Sequence, residues 1–259
     1  QLLIRSSSNN VDFALLKDGK LIEFHKDNDN TKFLVGDIYL AKIRKTMPAL
    51  NAAFLNVGYK KDAFLHYHDL GPKFSTLQKF IKGVSIGRIK NFSLNNYKFE
   101  EEIDKNGAIS DVLSPNQSVL IQIVKEPIST KGPRVTSELS VAGRFLVLVP
   151  FSSRISISQK IEDQKEKDRL KRLVKSITPK GFGVIVRTVA KGKKVAELDR
   201  DLQNLYARWI AMCKKIRNAN IPSKVMDEMN ISSKILRDLF DENFTSILID
   251  DETLQIQIK

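Results

Sequence analysis

The chain has 259 residues, enough to bury a substantial core and to hold two or more domains. It carries 43 Lys and Arg against 30 Asp and Glu, a net of +13; a surplus of that size favours an anionic partner, nucleic acid or an acidic membrane, over a merely solvated surface. Its one cysteine, Cys213, excludes an intramolecular disulfide and an all-cysteine metal cage. That usage fits a reducing cytosol. No stretch approaches the roughly 20 apolar residues of a membrane span, and the opening Gln1 to Arg5 is too short for a signal peptide. The expectation is a soluble, cytoplasmic chain. It starts without Met and stops in mid-pattern at Gln255 to Lys259, which reads as a piece of a longer protein.

Val11 to Phe24 reads as a hairpin, its apolar runs flanking the turn signal Asp18-Gly19. Short β-like runs follow at 37–41, 53–57 and 63–66, separated by Gly36, Pro48, Gly58 and Gly71, and suggest a small barrel. Residues 72–118 are rich in Lys, Asn, Ser and Glu and read as a long loop insertion, partly helical or disordered. The barrel resumes at Ser118 to Lys125, and a further strand is expected from Gly143 to Val149. Glu162 to Ile177 has the spacing of an amphipathic helix, ended by Pro179. Gly183 to Thr188 is a buried-strand pattern. A long helix is expected from about Ala196 to Ala219, with Leu198, Leu202, Leu205, Trp209 and Met212 on one face. Ser232 can cap another helix, and Thr245 to Asp250 is a last strand.

Two constellations carry chemistry. A five-stranded barrel with exposed aromatics is a platform for single strands, since a flat ring stacks on any base. Phe54 and Phe64 are the candidate rings, with Lys42, Arg44, Lys45, Lys60 and Lys61 as phosphate contacts; a strand Phe is nonetheless more often core. The second is a phosphate pocket. Arg187 and Thr188 follow an apolar strand, offering a guanidinium fork and a hydroxyl, and Gly143 would let the main chain approach closely. Taken alone, the same residues are more often a salt-bridged strand end, a β-former and a plain turn. His66 and His68 lack a third ligand nearby, and Asp250-Asp251-Glu252 reads as a solvated strand end.

The run from Gly36 to His66, then Gln122 to Pro127, Lys131 to Thr136, Gly143 to Pro150 and Gly183 to Thr188, resembles the ribonuclease E/G family over nearly the whole chain. The resemblance is weakest over 72–118 and 220–235. It implies an α+β, multi-subdomain fold in which an S1-type (OB-fold) barrel and a 5′-sensor subdomain are inserted into an RNase H-like scaffold. The implied limits are 1–34 and 222–259 for the RNase H-like part, 35–130 for the barrel and 131–221 for the 5′-sensor. It implies that Phe54, Phe64 and Lys131, with Lys125 as companion, contact single-stranded RNA. It also implies that Gly143, Val147 (through its backbone), Arg187 and Thr188 form a pocket preferring 5′-monophosphate ends. Gln159 stands where many members carry a basic residue, which puts one supporting contact in doubt.

The same resemblance implies an Mg²⁺-dependent endoribonuclease acting in RNA decay and ribosomal RNA maturation, a homo-oligomer as the full protein. Its metal-holding aspartates are not found in this chain, so no catalytic residue is expected here and the chain alone is expected to bind without cutting. Two rival functions remain: a non-catalytic protein that escorts or protects RNA ends, and a basic protein docked on an acidic membrane or ribosome.

Overall fold

The computed structural model describes residues 1–7, 10–28, 33–228, 245–252 and 255. They fall into two units, Gln1–Lys32 with Met229–Lys259, and Phe33–Glu228. In the first, β1 (Leu2–Ser7), β2 (Asn10–Lys17) and β3 (Lys20–Asn28) form an antiparallel meander. Asp18 and Gly19, both at positive φ, make the two-residue turn between β2 and β3 that their sequence calls for. A short strand near the chain's end, Ile247–Ile249, lies parallel to β1. Leu2, Ile4 and Phe13 are buried in this sheet, each two-residue step returning to the same face. The helix expected from Ser232 lies outside the described residues.

The second unit opens with β4 (Ile38–Met47), β5 (Ala52–Asn56) and β6 (Ala63–His66). After helices α1 (Phe74–Ser85) and α2 (Ile109–Val112) come β7 (Ser118–Lys125) and β8 (Arg134–Thr136). The order β4-β5-β6-β8-β7, with β7 returning to β4, closes a five-stranded barrel. Its interior holds Tyr39, Ala41, Ile43, Ala53, Leu55, Ala63, Leu65, Ile121, Ile123 and Val135. On β4 the alternate residues Ile38 and Leu40 belong to the other core, as does Leu120 on β7. Those strands are buried on both faces, and their long apolar runs, broken in β7 only by the buried Gln122, follow from that.

The second core lies under a four-stranded sheet of β9 (Val141–Ala142), β10 (Leu146–Pro150), β11 (Ile155–Ile157) and β12 (Phe182–Val186), in the order β11-β12-β10-β9. Helices α3 (Gln164–Ile177) and α4 (Val195–Arg217) complete it. Asp163 caps α3, its carboxylate accepting the Lys165 N–H at 2.9 Å. Along α4 the buried residues Leu198, Leu202, Leu205, Trp209, Met212 and Ile216 recur at helical spacing. Trp209 stacks with Phe80 and donates its indole N–H to the Phe92 carbonyl at 3.0 Å. Cys213 is fully buried, and burial pushes its thiol far up from the ordinary range.

Three expected boundaries need correction. The barrel does not end at 130, because β8 is its fifth strand. Residues 222–228 do not belong with the chain's opening strands: β13 (Ser223–Met226) pairs with Ile38–Leu40 of β4, and the buried Asp37 carboxylate fastens that junction by accepting the Glu228 N–H at 2.9 Å. Residues 72–118 are more than a surface loop. Helix α1 buries Leu77, Phe80, Ile81 and Val84 in the second core, and Leu113 packs into the barrel core. The apolar 3–4 spacing in α1 was hidden by the polar residues around it. Among the described residues no helix is long and apolar enough to cross a membrane.

Candidate nucleic-acid interface

Because Ala53, Leu55, Ala63 and Leu65 point into the barrel, pleating turns Phe54 and Phe64 outward. Both rings are half-buried and neither belongs to a core cluster. They sit directly opposite one another on β5 and β6, with ring centroids 5.7 Å apart in an edge-to-face arrangement. Phe64 pairs in turn with Arg134 of β8, Arg134 with Lys125 of β7, and Phe54 with Lys45 of β4. Thus one lateral row, Lys45-Phe54-Phe64-Arg134-Lys125, takes a residue from each of the five strands. Register shifts between Ile43 and Lys45 and between Ile123 and Lys125 put the two lysines in line. A bulge inserts one residue and re-aims the side chain that follows, which is its use here.

The row floors a groove of about 680 Å³, also lined by Lys61, Asp62, Ile128, Lys131 and Gly132. Phe54, Phe64, Lys125 and Lys131 therefore share one depression. Lys45 Nζ stands 5.2 Å from the Phe54 centroid, a cation over a ring face. Arg134 is held from below by a two-pronged pair with Asp69, at 2.9 and 3.0 Å. Arg44 pairs with Asp62 at 3.1 Å. Lys131 rides on a tight turn closed by the exchange of N–H and carbonyl between Ile128 and Lys131. The next residue must be glycine, since a Cβ at Gly132 would lie 2.0 Å from the Asp62 carbonyl oxygen. Gly132→Ala should cost about 2 kcal/mol in denaturant unfolding and weaken any ligand held by Lys131. Unchanged unfolding would contradict this close approach.

The second constellation gathers at the β9–β10 turn. The Arg187 backbone N–H donates to the Phe145 carbonyl at 2.8 Å, and its Nη1 donates to the Gly143 carbonyl at 2.8 Å. Thr188 shares a 2.9 Å hydroxyl contact with Ser158, next to the exposed Gln159. Val147 lies half-buried on β10, opposite Ile185 and Ala142. Arg144 and Lys193 both stand over the Phe145 ring, at 5.3 and 5.7 Å. Three cations thus surround one turn.

Gly143 does not open a strand, and its missing side chain makes room for a carboxylate of the same chain. It lies in the turn, donating its N–H to the Leu146 carbonyl at 2.8 Å. A Cβ there would lie 2.7 Å from both carboxylate oxygens of Asp201 on α4. That carboxylate accepts the N–H groups of Arg144, Phe145 and Leu146 at 3.1, 2.8 and 2.9 Å. The turn is already folded around an internal anion. Beside it, Glu166 of α3 ties down the loop after Thr188, accepting the Gly192 N–H at 2.8 Å. Its hydrogen bond from Arg169 holds the Glu166 carboxyl down to about 2, against the opposing effect of burial and with help from that amide.

Asp201, Ser158 and Arg134 were not singled out in the sequence. One Asp among many on a charged helix carries no local signal, whereas Arg134 follows directly from strand parity once β8 is recognised. The His68 N–H donates to His66 Nδ1 at 3.2 Å. Among the described residues no group of three or more His, Cys, Asp or Glu side chains is placed to hold a metal ion.

The family model described as the Ribonuclease E/G family matches residues 140–259. Ribonuclease E of Nostoc sp. (strain PCC 7120) is 31% identical over 220 residues, covering 85% of this chain and 28% of that protein. Ribonuclease G of Haemophilus influenzae is 29% identical over 259 residues, covering 100% of this chain and 49% of that protein. Ribonuclease G of Escherichia coli K12 is 28% identical over 250 residues, covering 96% and 47%. The chain spans about half or less of the length of these relatives. With a family-model match over its second part and similarity to both ribonuclease E and ribonuclease G along its length, this chain, a mixed α and β fold with a closed five-stranded barrel, is similar to the ribonuclease E/G family.

Proposed function

We propose that this chain is the RNA-gripping part of an endoribonuclease acting in RNA decay and ribosomal RNA processing. The barrel groove holds single-stranded RNA, and the Arg187–Thr188 pocket senses a 5′-monophosphate. The observation that carries the reading is the row across the barrel, with two outward rings set between Lys45 at one end and Arg134 and Lys125 at the other. The rings offer stacking to any base, and the cations follow a backbone. The pocket supplies a guanidinium pinned by carbonyls, a hydroxyl pair and nearby Arg144 and Lys193. With the turn's amides engaged by Asp201, recognition of the phosphate falls mainly on side chains.

In this reading residues 33–228 hold the S1-type barrel and the 5′-sensor. The first unit is the RNase H-like scaffold, supported by an antiparallel three-strand meander whose first strand takes a parallel neighbour. The active protein is a cytoplasmic homo-oligomer whose Mg²⁺-dependent cutting uses residues other than those described.

Fluorescence anisotropy with short RNAs differing only in 5′ phosphorylation tests the pocket. Wild type should prefer the monophosphate over the hydroxyl end. Arg187→Ala should abolish that preference, a loss of roughly tenfold or more for a charge-assisted contact, with binding of the 5′-hydroxyl RNA kept. Equal loss on both RNAs would count against end sensing.

A further inference from the structure

The barrel groove does not stop at Arg134. Lys125 and Arg134 also line a shallower depression with Asp69, Thr136 and Glu138. Glu138 in turn edges a cleft of about 540 Å³ between the barrel and β10. The cleft has an apolar floor of Leu70, Leu139 and Phe151, and the half-buried ring of Phe99 forms part of its wall. Lys73 Nζ stands 5.7 Å over that ring and 3.0 Å from Glu102. A half-buried phenylalanine with an ammonium over its face repeats the Lys45–Phe54 arrangement of the groove.

We infer that this cleft is an accessory subsite for a nucleobase of the same RNA strand, beyond the nucleotides held by Phe54 and Phe64. The inference rests on the groove's being the RNA site. Continuity supports it, because each depression shares residues with the next and all lie in one unit. Charge supports a base over a phosphate. Lys73 and Arg154 are balanced by Glu102 and Glu138, which suits a neutral, flat group whose amino and imino hydrogens meet carboxylates. Exposed Arg154 and the Asp69-anchored Arg134 border the path at points where phosphates would pass.

The test compares 5′-hydroxyl RNAs of about four and about twelve nucleotides, the first at the short limit of the site sizes of one such barrel and the second well beyond it. The hydroxyl end keeps the Arg187 pocket out of the measurement. Phe99→Ala should weaken the longer RNA by roughly fivefold or more, the loss of one stacked base, and leave the shorter one unchanged. Arg154→Glu, an exposed change that leaves the apolar floor intact, should do the same. Circular dichroism and thermal unfolding check that each variant is folded. A folded Arg154→Glu protein with wild-type affinity for both lengths overturns the subsite, as does equal weakening of both. Phe54→Ala should weaken both lengths; if it weakens neither, the groove reading itself fails, whatever the cleft variants do.

Discussion

Phe54→Ala and Phe64→Ala should each lower affinity for unpaired RNA roughly tenfold or more, since a stacked base is worth about 1–3 kcal/mol. Neither ring belongs to a core cluster, so the folded state should survive both changes. The rings touch each other at 5.7 Å, so the double variant should lose less than the sum of the singles. Salt dependence separates stacking from charge. Removing a ring takes away no phosphate contact, so the slope of log affinity against log salt should stay as it is, whereas Lys125→Ala should flatten it by about 0.7. Wild-type affinity in both ring variants would remove the basis for the proposed interface.

Asp201→Ala should have the second large effect. It strands the N–H groups of Arg144, Phe145 and Leu146, which a single carboxylate now satisfies, at a cost of about 3 kcal/mol. The same turn supplies the carbonyls that fix Arg187. Preference for 5′-monophosphate RNA should therefore fall to that of Arg187→Ala, although Asp201 lies on the helix side of the turn. Binding of 5′-hydroxyl RNA should persist. Asp201→Asn, which keeps one acceptor oxygen, should be intermediate on both counts. A destabilised Asp201→Ala protein with its end preference intact would mean that the turn tolerates loss of its anion without moving Arg187.

The opening hairpin, the strands around Ile38, Ala53 and Ala63, and helices α3 and α4 were legible because their apolar periods are clean and their turns carry Gly, Pro or Asp-Gly. The direction of the two rings was not settled by the residues, since a strand Phe is more often core; the repeated Ala-Phe-Leu of β5 and β6 turns them outward once Ala and Leu are known to face the barrel. What could not be read has a physical cause. Strand β8 is only three residues long and owes its place to partners distant in sequence. The bulges that align Lys45 and Lys125 shift register without any glycine or proline to announce them. Asp201 acts across a tertiary gap, and no local rule links it to a turn that precedes α3.

The late arrival of β8 in the chain has a kinetic consequence. Closing the barrel brings Arg134 beside Phe64 only after the whole stretch holding α1, α2 and β7 has been arranged, a contact of high sequence separation and correspondingly slow formation. Since Lys131 and Arg134 flank that seam, the capacity to hold a ligand in the groove should emerge only once these long-range pairings are made, well after helical signal has recovered.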